Sequence, residues 1–128
     1  MTVNDNTGQK PPRHFTFDHA FWSYDGFVEE SDGYKSPAPG GQYTDQKKVW
    51  NLLGQTILDK AWEGKNVTLF AYGQTGAGKS YSIFGYPGNP GVIPMAATKI
   101  FERTAENTDP NVRYELTVQM VEIYMEKI

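Results

Sequence analysis

Apolar residues between Thr44 and Glu63 repeat with the spacing of an amphipathic helix. The i, i+3, i+4, i+7 positions are Val49, Leu52, Leu53, Thr56, Ile57 and Lys60/Ala61. Thr44 is a residue type that caps helix N-termini, and Gly64 is one that ends helices. The pattern therefore predicts one helix over residues 44–63.

Three other stretches have the patterns of β-strands. Residues 14–20 alternate aromatic and polar side chains, and residues 66–72 form an almost unbroken apolar run. Such a run is typical of a strand buried on both faces of a parallel sheet. Residues 112–128 alternate until Met120 and then change phase, which predicts a bulge or a strand end buried on both faces. Strands alternating with helices predict an α/β domain with a parallel sheet.

The remaining segments predict two shorter helices and two loops. One helix begins near Gly78 and stops at the Gly- and Pro-rich residues 85–91; the other starts with Pro94 in its first turn and ends at Asp109-Pro110. Residues 1–12 are a polar lead-in. Residues 23–44 are rich in Gly and Pro and predict a surface loop insertion that is mobile and dispensable for folding.

Composition and charge exclude several classes of protein. The chain has 128 residues, a net charge of −3 and no Cys, so a disulfide framework and a cysteine zinc site are excluded. No cluster of basic residues predicts nucleic-acid binding. No apolar run approaches the ~20 residues of a membrane span, and Met1 to Pro12 lack the apolar core of a signal peptide.

One motif carries recognisable chemistry. Residues 73–80 satisfy G-x-x-x-x-G-K-[ST], the phosphate-binding P-loop, as Gly73, Gln74, Thr75, Gly76, Ala77, Gly78, Lys79 and Ser80. Glycines let the loop wrap closely around a phosphate, and successive N–H groups form an anion nest at a helix N-terminus. Lys79 supplies a cation to the outer phosphates, and the Ser80 hydroxyl is a ligand for Mg²⁺. The motif follows a predicted strand and precedes a predicted helix, which is the expected context.

The residues before and within this loop resemble the kinesin motor domain. Residues 66–80 match the pattern N-x-[TC]-[IL]-F-A-Y-G-Q-T-G-x-G-K-[ST] of that family. Four more stretches are similar to family motifs: Phe15-Thr16-Phe17-Asp18, Gln46-Lys47-Lys48-Val49-Trp50, Gly91-Val92-Ile93-Pro94 and Glu122-Ile123-Tyr124-Met125-Glu126, in which Met125 replaces the usual Asn. The aromatic residues and the loop ending resemble the kinesin-3 class.

The resemblance implies a fold, an activity and a site. The fold is a P-loop NTPase-type three-layer α/β sandwich, the kinesin motor fold, of which residues 1–128 are an incomplete, N-terminal part. The function implied is ATP hydrolysis coupled to movement along microtubules in the cytoplasm, with ATP and Mg²⁺ as cofactors. The microtubule contact surface lies mostly outside this chain, and no nucleic-acid or membrane partner is implied. Tyr81 lies near the adenine in this reading; the alternative is that it packs its helix onto the sheet.

Two other functions stay open at this point. The first is a non-hydrolysing, motor-like module that binds a nucleotide or a partner, which is favoured if the 128 residues are the whole protein. The second is an unrelated P-loop enzyme such as a nucleotide kinase. Both switch motifs of the kinesin family are absent from the 128 residues, so we expect weak nucleotide binding, no microtubule-stimulated hydrolysis and poor solubility of this segment alone. His14, His19, Glu122 and Glu126 read as ordinary surface residues. Residues 85–91 are a simple turn or, by resemblance, affect nucleotide exchange.

Overall fold

A computed structural model describes residues 2, 3, 7 and 11–128 in two compact units, Met1–Ala96 and Ala97–Ile128. Most of the predicted polar lead-in, residues 1–12, lies outside the described residues. In its described part, β1 (Thr2–Val3) pairs antiparallel with β2 (Arg13–His14). Among the residues described, no helix is both long and apolar enough to cross a membrane.

The predicted helix over residues 44–63 is present as α1, residues 46–62. It consists of Gln46–Val49, a π-helical turn at Trp50–Gly54, and Gln55–Trp62. The N-cap is Asp45 rather than Thr44, because the Asp45 carboxylate accepts the Lys48 N–H at 2.7 Å. Gly64 ends the helix as predicted: its φ is +81°, its N–H donates to Ala61, and the Lys65 N–H donates to Lys60.

The buried face of α1 differs from the predicted one. The residues turned inward along its second half are Trp50, Leu53, Gly54, Ile57, Leu58 and Ala61. Leu52 and Thr56, which the periodicity placed on this face, are exposed. A π turn holds more residues than an α turn and therefore rotates the residues that follow it. The fully buried residues of α1, Gln46, Trp50, Gly54 and Leu58, follow one another at intervals of four through this turn.

Residues 26–44, here called the hairpin segment, contain a two-stranded hairpin, which the prediction of a surface loop at 23–44 did not include. Strands β3 (Phe27–Glu29) and β4 (Lys35–Pro37) pair antiparallel. Tyr34 and Tyr43 are buried, with 8% and 3% of their surface exposed. These two aromatic side chains supply the apolar anchors that the Gly- and Pro-rich composition concealed. Whether the segment is an insertion stays a prediction.

Two helices flank a small hairpin in the second half of the chain. Helix α2 (Lys79–Ile83) begins where the sequence predicted, and strands β5 (Gly85–Tyr86) and β6 (Asn89–Pro90) follow it. Pro87 and Gly88 form the turn between them, and Gly88 has the positive φ, +85°, that such a turn requires. Helix α3 (Val92–Ala105) contains Pro94 in its first turn and ends before the predicted Asp109-Pro110 boundary.

The three predicted strands at 14–20, 66–72 and 112–128 are not formed, apart from His14 in β2. Residues 66–72 and 108–128 are exposed; Tyr72 is 95% exposed and Val118 89%. A strand needs a hydrogen-bonded neighbour, and the described residues offer none to these segments. The phase change near Met120 reflects neither a bulge nor a doubly buried strand; Tyr124 and Lys127 instead close a tight turn.

The core lies in the first unit and is small. Its buried apolar residues are Tyr34, Tyr43, Trp50, Leu58 and Val92, and its buried polar residues are Thr44, Gln46 and Asn89. These residues belong to the hairpin segment, α1, β6 and the start of α3. Hydrogen bonds from this mixed core reach the helix that follows the glycine-rich loop.

Candidate phosphate-binding site

The glycine-rich loop occupies residues 73–78 and leads directly into α2. Gly76 and Gly78 have φ values of +81° and +89°. A side chain at either position would meet open space, so the requirement for glycine there is conformational and not a matter of room. The Ala77 N–H donates to the Gln74 carbonyl at 3.1 Å and tightens the turn. The sequence therefore folds locally as a tight loop that ends in a left-handed glycine at the helix start.

Lys79 reaches back across this loop. Its ammonium donates to the carbonyl oxygens of Gly73 and Gln74, each at 2.7 Å. A lysine ammonium has three protons, so these two bonds leave one for a further acceptor. The side chain thus carries a positive charge over the loop with donor capacity remaining.

The first residues of α2 add backbone donors beside this charge. The N–H groups of Lys79 and Ser80 lie in the first turn, where the helix itself offers them no acceptor. Ser80 is exposed, and so are all residues of the predicted site from Gly73 to Gly78. The structure therefore places the Lys79 ammonium, the Ser80 hydroxyl and the first backbone N–H groups of α2 together at the end of an accessible loop.

Tyr81, in contrast, is half-buried and connects the loop to the core. Its hydroxyl lies 3.1 Å from the Tyr43 hydroxyl and accepts the Asn89 side-chain N–H at 2.6 Å. Its backbone carbonyl accepts the Gln46 amide at 2.6 Å, and its ring packs against Tyr86 with centroids 5.6 Å apart. Tyr81 therefore contacts four other residues of the core region.

The hairpin segment also binds the start of α1, which carries Gln46. The Tyr34 hydroxyl accepts the Lys47 N–H at 3.2 Å, in the first turn that the N-cap residue Asp45 opens. Burial raises the pKa of Tyr34 above its ordinary range, and the Asp45 carboxylate raises it further while the Lys47 bond opposes the shift. Burial, followed by the hydrogen bond with Tyr81, likewise raises the pKa of Tyr43. Both hydroxyls therefore stay protonated to a higher pH than an ordinary tyrosine.

The turn of the hairpin segment also contacts residues 85–91. A side chain at Gly88 would collide with the Asp32 carbonyl and lie 3.1 Å from the Gly33 Cα, so the two turns touch through backbone. The Lys35 ammonium lies 4.5 Å from the Phe27 ring centre and 5.9 Å from that of Tyr86. Its hydrogen bond with Tyr86 raises the pKa of Lys35. Residues 85–91 are therefore a turn anchored to the hairpin segment; an effect on nucleotide exchange stays a prediction.

Sequence reasoning missed the residues that hold Tyr81. Tyr43, Gln46 and Asn89 are distant from the motif in sequence, and no spacing rule connects them to it. The high aromatic share, 14% of residues, was the one compositional signal. The other titratable candidates are exposed, and no three metal-ligating side chains cluster within the described part of the chain.

Comparison with known proteins identifies the family. The family model of the kinesin motor domain matches residues 1–128. Kinesin-like protein KIF28 of Rattus norvegicus is 41% identical over 129 residues, which are 100% of this chain and 12% of the relative. Kinesin-like protein KIF13B of Homo sapiens is 38% identical over 128 residues, covering 100% of this chain and 6% of that protein.

Solved structures agree with this family. A KIF14 segment with ADP in complex with a microtubule superposes with a TM-score of 0.68 at 38% identity, covering 85% of this chain and 27% of that one. A KIF14 dimer with AMP-PNP in complex with a microtubule gives 0.68 at 34% identity, with 85% and 26% covered. The chain thus has part of the α/β motor fold and spans about a quarter of those chains. It belongs to the kinesin motor domain family.

Proposed function

We propose that this chain forms the ATP-binding part of a microtubule-dependent ATPase of the kinesin type. The observation that carries the proposal is the Lys79 ammonium, which lies over a loop turned by glycines of positive φ at the start of a helix. Such a loop suits a phosphate chain. Solved relatives hold ADP or AMP-PNP and bind microtubules, which supports the same ligand class, partner and cytoskeletal location here.

The residues divide the work between charge and orientation. Backbone N–H groups of Gly76, Gly78, Lys79 and Ser80 would bind phosphate oxygens, and the third proton of Lys79 would face the outer phosphates. Ser80 would hold Mg²⁺, which neutralises phosphate charge when bound. The donor set fits that ion, because an exposed hydroxyl beside a phosphate site is a usual Mg²⁺ ligand in P-loop proteins. We assign no water-orienting residue within residues 81–128.

Tyr81 is proposed to lie beside the base. Its hydroxyl is occupied by Tyr43 and Asn89, so the hydroxyl does not serve to read the edge of a base. The ring packs against Tyr86 on one side, so its other face would be the one that meets the base, and stacking on a ring tolerates any base. Tyr81 would then contribute affinity more than selectivity.

The test is equilibrium binding of a fluorescent ADP analogue with Mg²⁺ to the complete motor domain that includes this chain. We expect Lys79→Ala to weaken binding at least tenfold, because a charge-assisted bond to phosphate contributes about 1.5–3 kcal/mol. Lys65→Ala is the matched control, since that ammonium is exposed and pairs with Glu63 at 2.6 Å. Equal affinities of the Lys79 variant and the wild type would refute the site.

A further inference from the structure

We propose that the hairpin segment positions the phosphate-binding loop, and that Tyr43 and Asn89 are the positioning residues through which it acts. The inference rests on the proposed function, because it concerns how well the loop is set to receive a nucleotide. Composition alone predicted that residues 23–44 are mobile and dispensable for folding; the proposal gives part of this segment a role in nucleotide binding.

The loop needs an anchor because it has few contacts of its own. Residues 73–78 are exposed, and α2 is only five residues long. An isolated helix of this length is unstable in water, so tertiary contacts must fix it. Tyr81 supplies the contacts that connect Ser80 and Lys79 to the core.

Three separate elements converge on Tyr81. Tyr43 arrives from the end of the hairpin segment, Asn89 from β6, and Gln46 from the first turn of α1. Tyr43 is 3% exposed, Gln46 2% and Asn89 0%. Hydrogen bonds from three buried side chains restrict the orientation of the residue at their centre.

Asn89 contacts the Tyr81 hydroxyl through its side-chain N–H, at 2.6 Å. Its side-chain oxygen is buried and has no hydrogen-bond partner within the described residues. A buried acceptor without a donor lowers the stability of the fold. The contact of Asn89 with Tyr81 is therefore made through the amide N–H and not through the amide oxygen.

The hairpin segment is itself held by contacts of Phe27 and Tyr34, two residues that precede Tyr43. The Phe27 ring packs on Tyr43 with centroids 5.2 Å apart, and Tyr34 binds the first turn of α1. The Asp32–Gly33 turn rests against Gly88, one residue before Asn89. A displacement of the hairpin segment would therefore move both partners of the Tyr81 hydroxyl.

The affinity for nucleotide depends on how many molecules hold the phosphate-binding loop in the correct position. The apparent dissociation constant rises in inverse proportion to the fraction of molecules whose loop is correctly placed. Removing one neutral hydrogen bond changes such an equilibrium by about three- to tenfold. We therefore expect Tyr43→Phe to weaken nucleotide binding by up to this factor, which is reached in full when the correctly placed loop is the minor state. The Phe27 contact of the ring is kept.

The experiment measures dissociation constants and release rates of a fluorescent ADP analogue with Mg²⁺ in the complete motor domain. The proteins are the wild type, Tyr43→Phe, Tyr81→Phe and the double variant, at a temperature where circular dichroism shows all four folded. Tyr24→Phe is the matched control, because Tyr24 precedes the hairpin segment and is 82% exposed. Thermal unfolding without nucleotide is recorded for each protein.

The proposal predicts weaker binding and faster release for Tyr43→Phe, no change for Tyr24→Phe, and a double variant no weaker than Tyr81→Phe alone. A lower unfolding temperature with unchanged affinity would show a purely structural role and overturn the proposal. Additive losses in the double variant would also overturn it. Failure of Lys79→Ala to weaken binding would instead refute the nucleotide site itself, so the two failures are distinguishable.

Discussion

Gly54 lies in the middle of α1, where two opposing effects decide the result of Gly54→Ala. Its backbone is helical, with φ −61° and ψ −46°. On helix propensity alone, alanine would raise the free energy of unfolding by about 1 kcal/mol. The added methyl group would lie 2.7 Å from Cζ3 and 3.0 Å from Cδ2 of Trp50, with Cε3 closer still. Carbon atoms in contact are normally about 3.5–4.0 Å apart.

The steric effect should be the larger one. Trp50 is 5% exposed, so its ring must move within a packed core to admit the methyl group. Overpacking of this kind costs about 1–3 kcal/mol. Subtracting the propensity gain, we expect Gly54→Ala to lower the free energy of unfolding by about 1 kcal/mol.

Urea unfolding followed by far-ultraviolet circular dichroism measures this difference. The control is the same substitution in a Trp50→Leu background, where the ring is absent. There Gly54→Ala should raise stability by about 1 kcal/mol, because only the propensity effect remains. A stabilising effect in both backgrounds, or the same loss in both, would refute the reasoning.

Two further predictions concern the hairpin segment and the extended regions. Because the pKa values of Tyr34 and Tyr43 are raised in the folded protein, the stability they support is complete below the unfolded value of about 10 and falls as the pH rises above it. Spectroscopic titration should show two tyrosines that ionise late in the native protein and normally in urea; ordinary titration of all eight would contradict this. In limited proteolysis, the first cuts should fall within residues 108–128, which are exposed, and not within the hairpin segment; early cleavage at 26–44 would show that the segment is not anchored.

Local signals in the sequence predicted the elements that depend on local physics. The Gly64 terminus of α1, the start of α2 after Gly78 and the break at Pro87 and Gly88 follow from backbone preferences that the residues carry themselves. The phosphate-loop motif at 73–80 could be recognised for a similar reason, because its residues are consecutive in the sequence. The exposure of Leu52 and Thr56 was missed, because a π turn leaves no clear pattern in the sequence.

Features that depend on distant residues could not be predicted. The apolar run at 66–72 has the composition of a buried strand, yet its burial requires neighbouring strands that the described residues lack. The hairpin segment shows the reverse case. Its composition resembles a loop, but Tyr34 and Tyr43 find partners in α1 and α2, far along the chain. Hydrogen bonds between such distant residues leave no periodic trace.

Steady-state ATP hydrolysis by the complete motor domain, with and without microtubules, tests the central claim most directly. Wild type and Lys65→Ala should hydrolyse ATP at a rate that microtubules raise several-fold. Lys79→Ala should show no turnover in either condition, because the cation over the loop would be missing. Turnover of Lys79→Ala at a near wild-type rate, with the same stimulation by microtubules, would contradict the assignment of residues 73–80 as the phosphate site.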